Sequence, residues 1–154
     1  MSNSSSTSNT YFMRLALAQG RQALPACLPN PPVGCVLVQG DKVVSEGFTQ
    51  SPGQHHAEAM ALSRLTVGCS AATAFVTLEP CAFHGRTPSC AEALVRAGVK
   101  RVFVGMLDPD PRNSGAGIRI LREAGVDVVV GLLAQEARAD LGRFLMDPLA
   151  GCVD

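Results

Sequence analysis

The stretch TAFVTLEPCAFHGRTPSCAEALVRAGVKRVFVGM, residues 73–106, places a helical pattern between two apolar, β-rich runs. Residues 74–78 predict a strand, residues 89–97 a helix and residues 101–106 a second strand. Gly98 lies where that helix must stop. Two strands connected through a helix run parallel in one sheet, so this stretch predicts an α/β fold.

The same alternation continues on both sides of this stretch. Before it, residues 33–39 and 42–48 form two β-rich runs around Gly40 and Asp41, which predicts an antiparallel hairpin. Further helices are predicted at 11–23, 56–65, 118–124 and 134–144, and a further strand at 126–130. We therefore expect one three-layer α/β/α domain whose five-stranded sheet is mixed, mostly parallel and covered on both faces.

Composition and charge narrow the function classes. Thirteen basic and thirteen acidic residues leave the 154-residue chain without net charge, which argues against nucleic-acid binding and favours a small-molecule substrate. No apolar run reaches about eighteen residues, so we expect no membrane span. Residues 1–10 are polar and lack a signal-peptide pattern, which predicts a disordered lead-in and a cytoplasmic location. In that compartment the six cysteines are expected to be free thiols or metal ligands.

Two short motifs carry candidate chemistry. His56 and Glu58 lie at the predicted start of a helix, while Cys81 follows a strand and Cys90 opens the next helix. One imidazole and two thiolates make a tetrahedral zinc site with an open fourth position, which is typical of catalytic zinc. The H-x-E and P-C elements match the zinc-deaminase signature, but eight residues separate Cys81 from Cys90 where the signature has two.

Several stretches resemble the deaminase domain of the bifunctional riboflavin-biosynthesis protein RibD, a branch of the cytidine-deaminase superfamily. The resemblance covers residues 11–145, and Cys-x8-Cys is the usual spacing in that branch. Its domain boundaries imply a deaminase domain at 11–147, a C-terminal tail at 148–154 and no reductase domain. The stretches that carry it are PNPPVG, HHAEAMAL, TAFVTLEPCAFHGRTPSC, GVKRVFVGMLDPDP and AGVDVVVGLL.

The resemblance implies a cytidine-deaminase-like fold and zinc-dependent hydrolytic deamination of an aminopyrimidine-like base, nucleoside or nucleotide. It implies that Glu58 carries the proton during the reaction. Superfamily members commonly assemble, so we also expect a homodimer. The implied zinc ligands are His56, Cys81 and Cys90. The implied substrate contacts are Asn30, Ala57, Thr49, Phe83, His84 and Arg86, with Arg86 near a phosphate.

Two of these positions depart from the family pattern. Thr49 and Phe83 stand where the family carries histidines near the sugar portion of its substrate. We therefore expect deamination to be retained and the substrate to be altered, in a riboflavin-related or specialised pathway.

Other interpretations stay open at this point. His55 competes with His56 as a ligand, and His84 as a fourth ligand would close the site. Asn30 precedes a proline and suits an ordinary turn. A non-catalytic, zinc-stabilised interaction module of the same fold is the alternative function, although such a module has no use for Glu58.

Three further features have simpler explanations. Cys27, Cys35, Cys69 and Cys152 are expected to be small buried or terminal residues. The segment 108–111, DPDP, either borders the substrate or forms a rigid turn. The segment 115–117, GAG, resembles a phosphate-binding loop, but the rest of that fingerprint is absent and a helix start is the better interpretation.

Overall fold

The computed structural model of the chain describes residues 6–66, 68, 70–83 and 88–145. Five helices and five strands alternate through most of these residues. In chain order they are α1 (Ser6–Arg21), β1 (Gly34–Gln39), β2 (Lys42–Phe48), α2 (Ala57–Ser63), β3 (Thr73–Leu78), α3 (Cys90–Ala97), β4 (Arg101–Met106), α4 (Ala116–Glu123), β5 (Asp127–Val130) and α5 (Ala134–Leu145).

The five strands form one mixed sheet in the order β2-β1-β3-β4-β5. Strand β1 pairs antiparallel with both β2 and β3, while β3 with β4 and β4 with β5 are parallel. Four strands therefore run in one direction, and the hairpin inserts β1 between two of them. The carboxyl ends of β3 and β4 meet at one edge, where ligand sites of open α/β sheets form.

Alternate residues of the strands face two helical layers. On one face, Val36, Phe75 and Phe103 pack with α1, and the rings of Phe75 and Phe103 stack with centroids 4.9 Å apart. On the other face, Leu37 and Val76 belong to the larger core cluster, which includes residues of α2, α3 and α4. The predicted three-layer α/β/α architecture is confirmed.

Most predicted elements occur where the sequence places them, with ends that differ by one or two residues. The first helix is the exception, because α1 begins at Ser6 and not at residue 11. The predicted disordered lead-in is therefore wrong for residues 6–10, while residues 1–5 lie outside the described part. Met13 and Leu17 are buried and anchor the helix in the core. Adding a turn to a helix that has already formed costs little free energy, even when the added residues are polar.

Among the residues that the structure describes, no helix is long and apolar enough to cross a membrane. The predicted C-terminal tail, residues 148–154, lies outside them.

A close contact between β1 and α1 depends on Gly34. A Cβ atom at this position would collide with the carbonyl oxygen of Ala16 and the backbone nitrogen of Gly20.

We expect Gly34→Ala to destabilise the fold by about 1–3 kcal/mol because the strand and helix must move apart. Gly142→Ala is the matched control, since Gly142 lies within α5 and has open space around it. The control substitution should leave the free energy of unfolding unchanged or increase it. Urea unfolding of both variants measures these free energies. Equal values for the two variants would contradict the prediction.

Candidate active site

Three chain segments meet at the carboxyl edge of the sheet, and each contributes one potential metal ligand. His56 is the N-cap of α2. Cys90 is the first residue of α3, where Ser89 and Glu92 form a capping box that fixes the helix start. Cys81 lies three residues beyond β3, in a segment without regular secondary structure. The local sequence thus places two of the three ligands at helix starts and the third in a loop.

The donor atoms of these three residues form a compact cluster. His56 Nδ1 lies 3.4 Å from Cys90 Sγ and 3.9 Å from Cys81 Sγ. All three donor atoms lie within 4.8 Å of one another. A tetrahedral zinc ion with ordinary Zn–N and Zn–S bonds separates such donors by about 3.6 Å. The spacing and the chemistry of the donor set therefore fit zinc with three protein ligands.

A cleft that is partly open to solvent lies beside this cluster. Glu58 lines it and is 4% exposed, because α2 carries the residue inward from the sheet edge. The remaining walls are mainly apolar and come from the segment before β1, the hairpin exit and the end of β3: Pro31, Val33, Thr49 and Leu78. A small apolar cleft with a few convergent polar groups suits a compact heterocycle better than a polymer.

Glu58 has an unusual electrostatic environment. Burial raises its pKa from 4.5 to about 7 in the metal-free protein, and the neighbouring Cys81 adds to the increase. The imidazole of His56 and hydrogen bonds from the backbone and Cys90 act in the opposite direction. A carboxyl group with a pKa near neutrality can both accept and return a proton.

A second buried carboxylate, that of Glu79, has a different task. Its two oxygens accept four backbone N–H bonds, from Asp108 and Gly115 at 3.1 Å, Gly117 at 3.0 Å and Ile118 at 3.2 Å. Three of these donors belong to the start of α4. The anion at this helix N-terminus is therefore the protein's own side chain, which confirms that residues 115–117 are a helix start and excludes a phosphate loop there.

The substrate contacts implied by the resemblance fall into four groups. Thr49 lines the cleft, but its hydroxyl accepts a hydrogen bond from the backbone N–H of Val33 at 3.1 Å. Asn30 and Ala57 are buried next to cleft residues without lining the cleft themselves. Phe83 packs under the guanidinium of Arg112, 5.2 Å from its ring centroid, outside the cleft wall. His84 and Arg86 lie outside the described residues.

The structure also separates the competing interpretations. His55 is exposed, and the metal-ligand cluster contains His56 and not His55. Cys27 and Cys35 are buried, whereas Cys69 and Cys152 lie outside the described residues.

The DPDP segment forms a rigid turn. Asp108 Oδ1 accepts from the N–H of Asp110, and Asp110 Oδ1 accepts from the N–H of Arg112, both at 2.9 Å. Asn113 follows this turn and is fully buried beside the Cys81 segment. Sequence reasoning did not identify Asn113, because an asparagine after a proline-rich turn carries no distinguishing pattern.

Residues 6–106 match the family described as the cytidine and deoxycytidylate deaminase zinc-binding region. The chain belongs to this deaminase family. The match includes all three clustered ligands and Glu58, and it bears out the fold class and the zinc cofactor expected from the sequence.

Within the deaminase family, the chain is similar to RibD proteins. It is 48% identical over 128 residues to the riboflavin biosynthesis protein RibD of Actinobacillus pleuropneumoniae, covering 83% of this chain and 34% of that relative. The chain thus spans about a third of the length of the RibD relatives it matches. It is 39% identical to the diaminohydroxyphosphoribosylamino-pyrimidine deaminase of Buchnera aphidicola, covering 87% of that relative. The solved structure of Acinetobacter baumannii RibD superposes with a TM-score of 0.86 at 44% identity, over 92% of this chain and 40% of that one.

The raised pKa of Glu58 predicts a pH-dependent cost to folding. Because the carboxyl group is harder to ionise in the folded protein, stability of the metal-free protein should decrease as pH rises from about 4.5 to about 7. We expect Glu58→Gln to be more stable than the unmodified protein by about 2–3 kcal/mol above pH 7 and equal to it below pH 4.5. Urea unfolding of the metal-free proteins, once below pH 4.5 and once above pH 7, measures this difference in stability. The exposed Glu123→Gln is the control, and a stability gain of Glu58→Gln that did not change with pH would refute the prediction.

Proposed function

We propose that this chain catalyses the hydrolytic deamination of an aminopyrimidine, which replaces a ring amino group with oxygen and releases ammonia. The observation that carries the proposal is the convergence of one imidazole and two thiols within 4.8 Å, beside a buried carboxyl group in an apolar cleft. Membership of a deaminase family supports the same chemistry.

We propose His56, Cys81 and Cys90 as the zinc ligands. Zinc held by three protein ligands supplies hydroxide at neutral pH, because it lowers the pKa of water to about 7. Both cysteines are buried, so bulk solvent has little access to the ligand set. The apolar walls formed by Val33 and Leu78 give the aromatic ring of the substrate a dry surface to pack against.

Glu58 is proposed as the proton carrier. Its carboxylate accepts the proton of the attacking water, delivers it to a ring nitrogen and assists the departure of ammonia. The same carboxyl group can perform both steps because it is buried beside the proposed ligands and lines the cleft that would hold the substrate. The alternative of a non-catalytic zinc module gives no reason to bury an ionisable group in the cleft at a cost to stability.

We infer a substrate of the pyrimidine class that carries a ribosyl phosphate. This part of the proposal rests on the name of the Buchnera aphidicola relative, whose length the chain nearly covers. Thr49 and Phe83 occupy the positions that are expected at the sugar side of the substrate. The Thr49 hydroxyl already accepts a hydrogen bond from the N–H of Val33, and the Phe83 ring already packs against the guanidinium of Arg112. We therefore expect the chain to tolerate changes in the sugar more readily than changes in the base.

Replacement of Glu58 separates an enzyme from a zinc module. Glu58→Gln should reduce turnover by about 10²–10⁴-fold, because the proton carrier is lost. Zinc content, measured by atomic emission, should stay at that of the unmodified protein. Glu123→Gln, on the exposed end of α4, should retain full activity. Equal turnover in Glu58→Gln and the unmodified protein would contradict the assigned role.

Ammonia release from a panel of compounds tests the substrate class. The panel contains aminopyrimidines as free bases, ribosides and ribosyl phosphates, with aminopurines as the comparison. We expect the highest kcat/KM for an aminopyrimidine ribosyl phosphate, and chelation followed by zinc addition should remove and restore that activity. Faster turnover of aminopurines, or no turnover of any aminopyrimidine by zinc-loaded protein, would overturn the assignment.

We also propose that the protein is a homodimer located in the cytoplasm. Val129 and Val130 of the edge strand β5 are 44% and 39% exposed, and this apolar surface supports assembly. Sedimentation of the zinc-loaded protein distinguishes a dimer from a monomer.

A further inference from the structure

The three proposed zinc ligands differ in how their backbones are fixed. His56 and Cys90 are placed by the starts of α2 and α3, so helix hydrogen bonds determine their positions. Cys81 has no such support, because its segment belongs to neither a helix nor a strand. Its carbonyl oxygen accepts one bond from the N–H of Ala91 at 3.2 Å. Contacts that hold the residues on either side of Cys81 therefore help to determine the position of its thiol.

One side chain contacts the backbone on both sides of Cys81. Asn113 Oδ1 accepts a hydrogen bond from the N–H of Ala82 at 2.9 Å. Asn113 Nδ2 donates to the carbonyl oxygen of Pro80 at 3.4 Å and to Asp108 Oδ2 at 3.2 Å. The amide orientation follows from these partners, since a rotated amide would set its oxygen against two acceptors.

Asn113 is itself held rigidly. It is fully buried, its N–H donates to the carbonyl oxygen of Asp110 at 2.9 Å, and its own carbonyl accepts from Ala116 at the start of α4 at 2.6 Å. Gly117 brings the same helix against the Cys81 segment, since a Cβ there would collide with the carbonyl oxygen of Pro80. The start of α4 thus presents a fixed hydrogen-bonding surface to that segment.

We propose that Asn113 is a positioning residue for the metal site, which holds Cys81 at the distance from His56 and Cys90 that zinc requires. This inference rests on the proposed zinc ligands. Loss of the amide would leave the N–H of Ala82 and the carbonyl of Pro80 without their partner and would let the loop relax away from the two helix starts. Because outer-shell partners of metal ligands commonly contribute 10–100-fold to metal affinity, we expect Asn113→Ala to weaken zinc binding by about tenfold or more.

Zinc affinity and the cobalt spectrum test this role. Zinc dissociation constants are measured by competition with a chromophoric chelator, and cobalt-substituted protein reports the ligand geometry through its thiolate-to-metal absorption. Asn113→Ala should lower zinc affinity about tenfold and change the cobalt spectrum. Ser114→Ala is the matched control, because the exposed Ser114 neighbours Asn113 and its N–H bond to Asp110 is made by the backbone. An unchanged zinc affinity in Asn113→Ala, or an equal loss in Ser114→Ala, would overturn the proposal.

A second variant applies if Asn113→Ala does not fold. Asn113→Asp has the same shape and keeps the acceptor for Ala82, but it loses both donated bonds and sets a carboxylate against Asp108. Zinc affinity should again decrease, and adding Asp108→Asn should recover part of it by restoring a donor and acceptor pair. A purely structural role would lower the unfolding free energy of the metal-free protein and leave the zinc affinity unchanged, which would refute the inference.

His56→Ala distinguishes the two proposals from each other. If it fails to weaken zinc binding, the proposed ligand set is wrong. If it weakens binding and the Asn113 variants do not, the ligand set stands and the positioning role of Asn113 falls.

Discussion

The buried carboxylate of Glu79 determines much of the geometry of the site. Four backbone N–H groups converge on its two oxygens, and three of them come from the start of α4. Hydrogen bonds to a charged group are stronger than those between neutral groups, and the helix dipole favours an anion at this end. The interaction connects the end of β3 to the loop after β4. Cys81 follows two residues later, so its loop begins from a fixed point.

The site combines elements of very different rigidity. Two proposed ligands occupy helix starts, where capping and helix hydrogen bonds fix the backbone, and the third lies in a loop braced by Asn113. A metal site needs its donors placed to within a few tenths of an ångström, which a loop alone rarely provides. The proposed bracing by Asn113 would supply that precision to Cys81, which lines the cleft.

Burial of Glu58 illustrates how function opposes stability in this fold. A carboxyl group in an apolar cleft resists ionisation, so the folded protein is penalised at neutral pH. The group that carries this cost is the one proposed to accept and return a proton. In the proposed function, the apolar walls of the cleft serve both the packing of a flat heterocycle and the chemistry of the carboxyl group.

The sequence by itself determined the order of the elements, the α/β class, and the candidates His56, Glu58, Cys81 and Cys90, because hydrophobic periodicity and ligand spacing are local properties of the chain. It did not determine that α1 begins at Ser6, since that extension depends on a packed core. The H-x-E spacing favours His56 over His55, and the structure agrees with that choice. Tertiary structure alone decided the pairing of Glu79 with the start of α4 and the contact of Asn113 with the Cys81 loop. Both contacts bring together residues about thirty to forty positions apart, and no local pattern encodes such a contact.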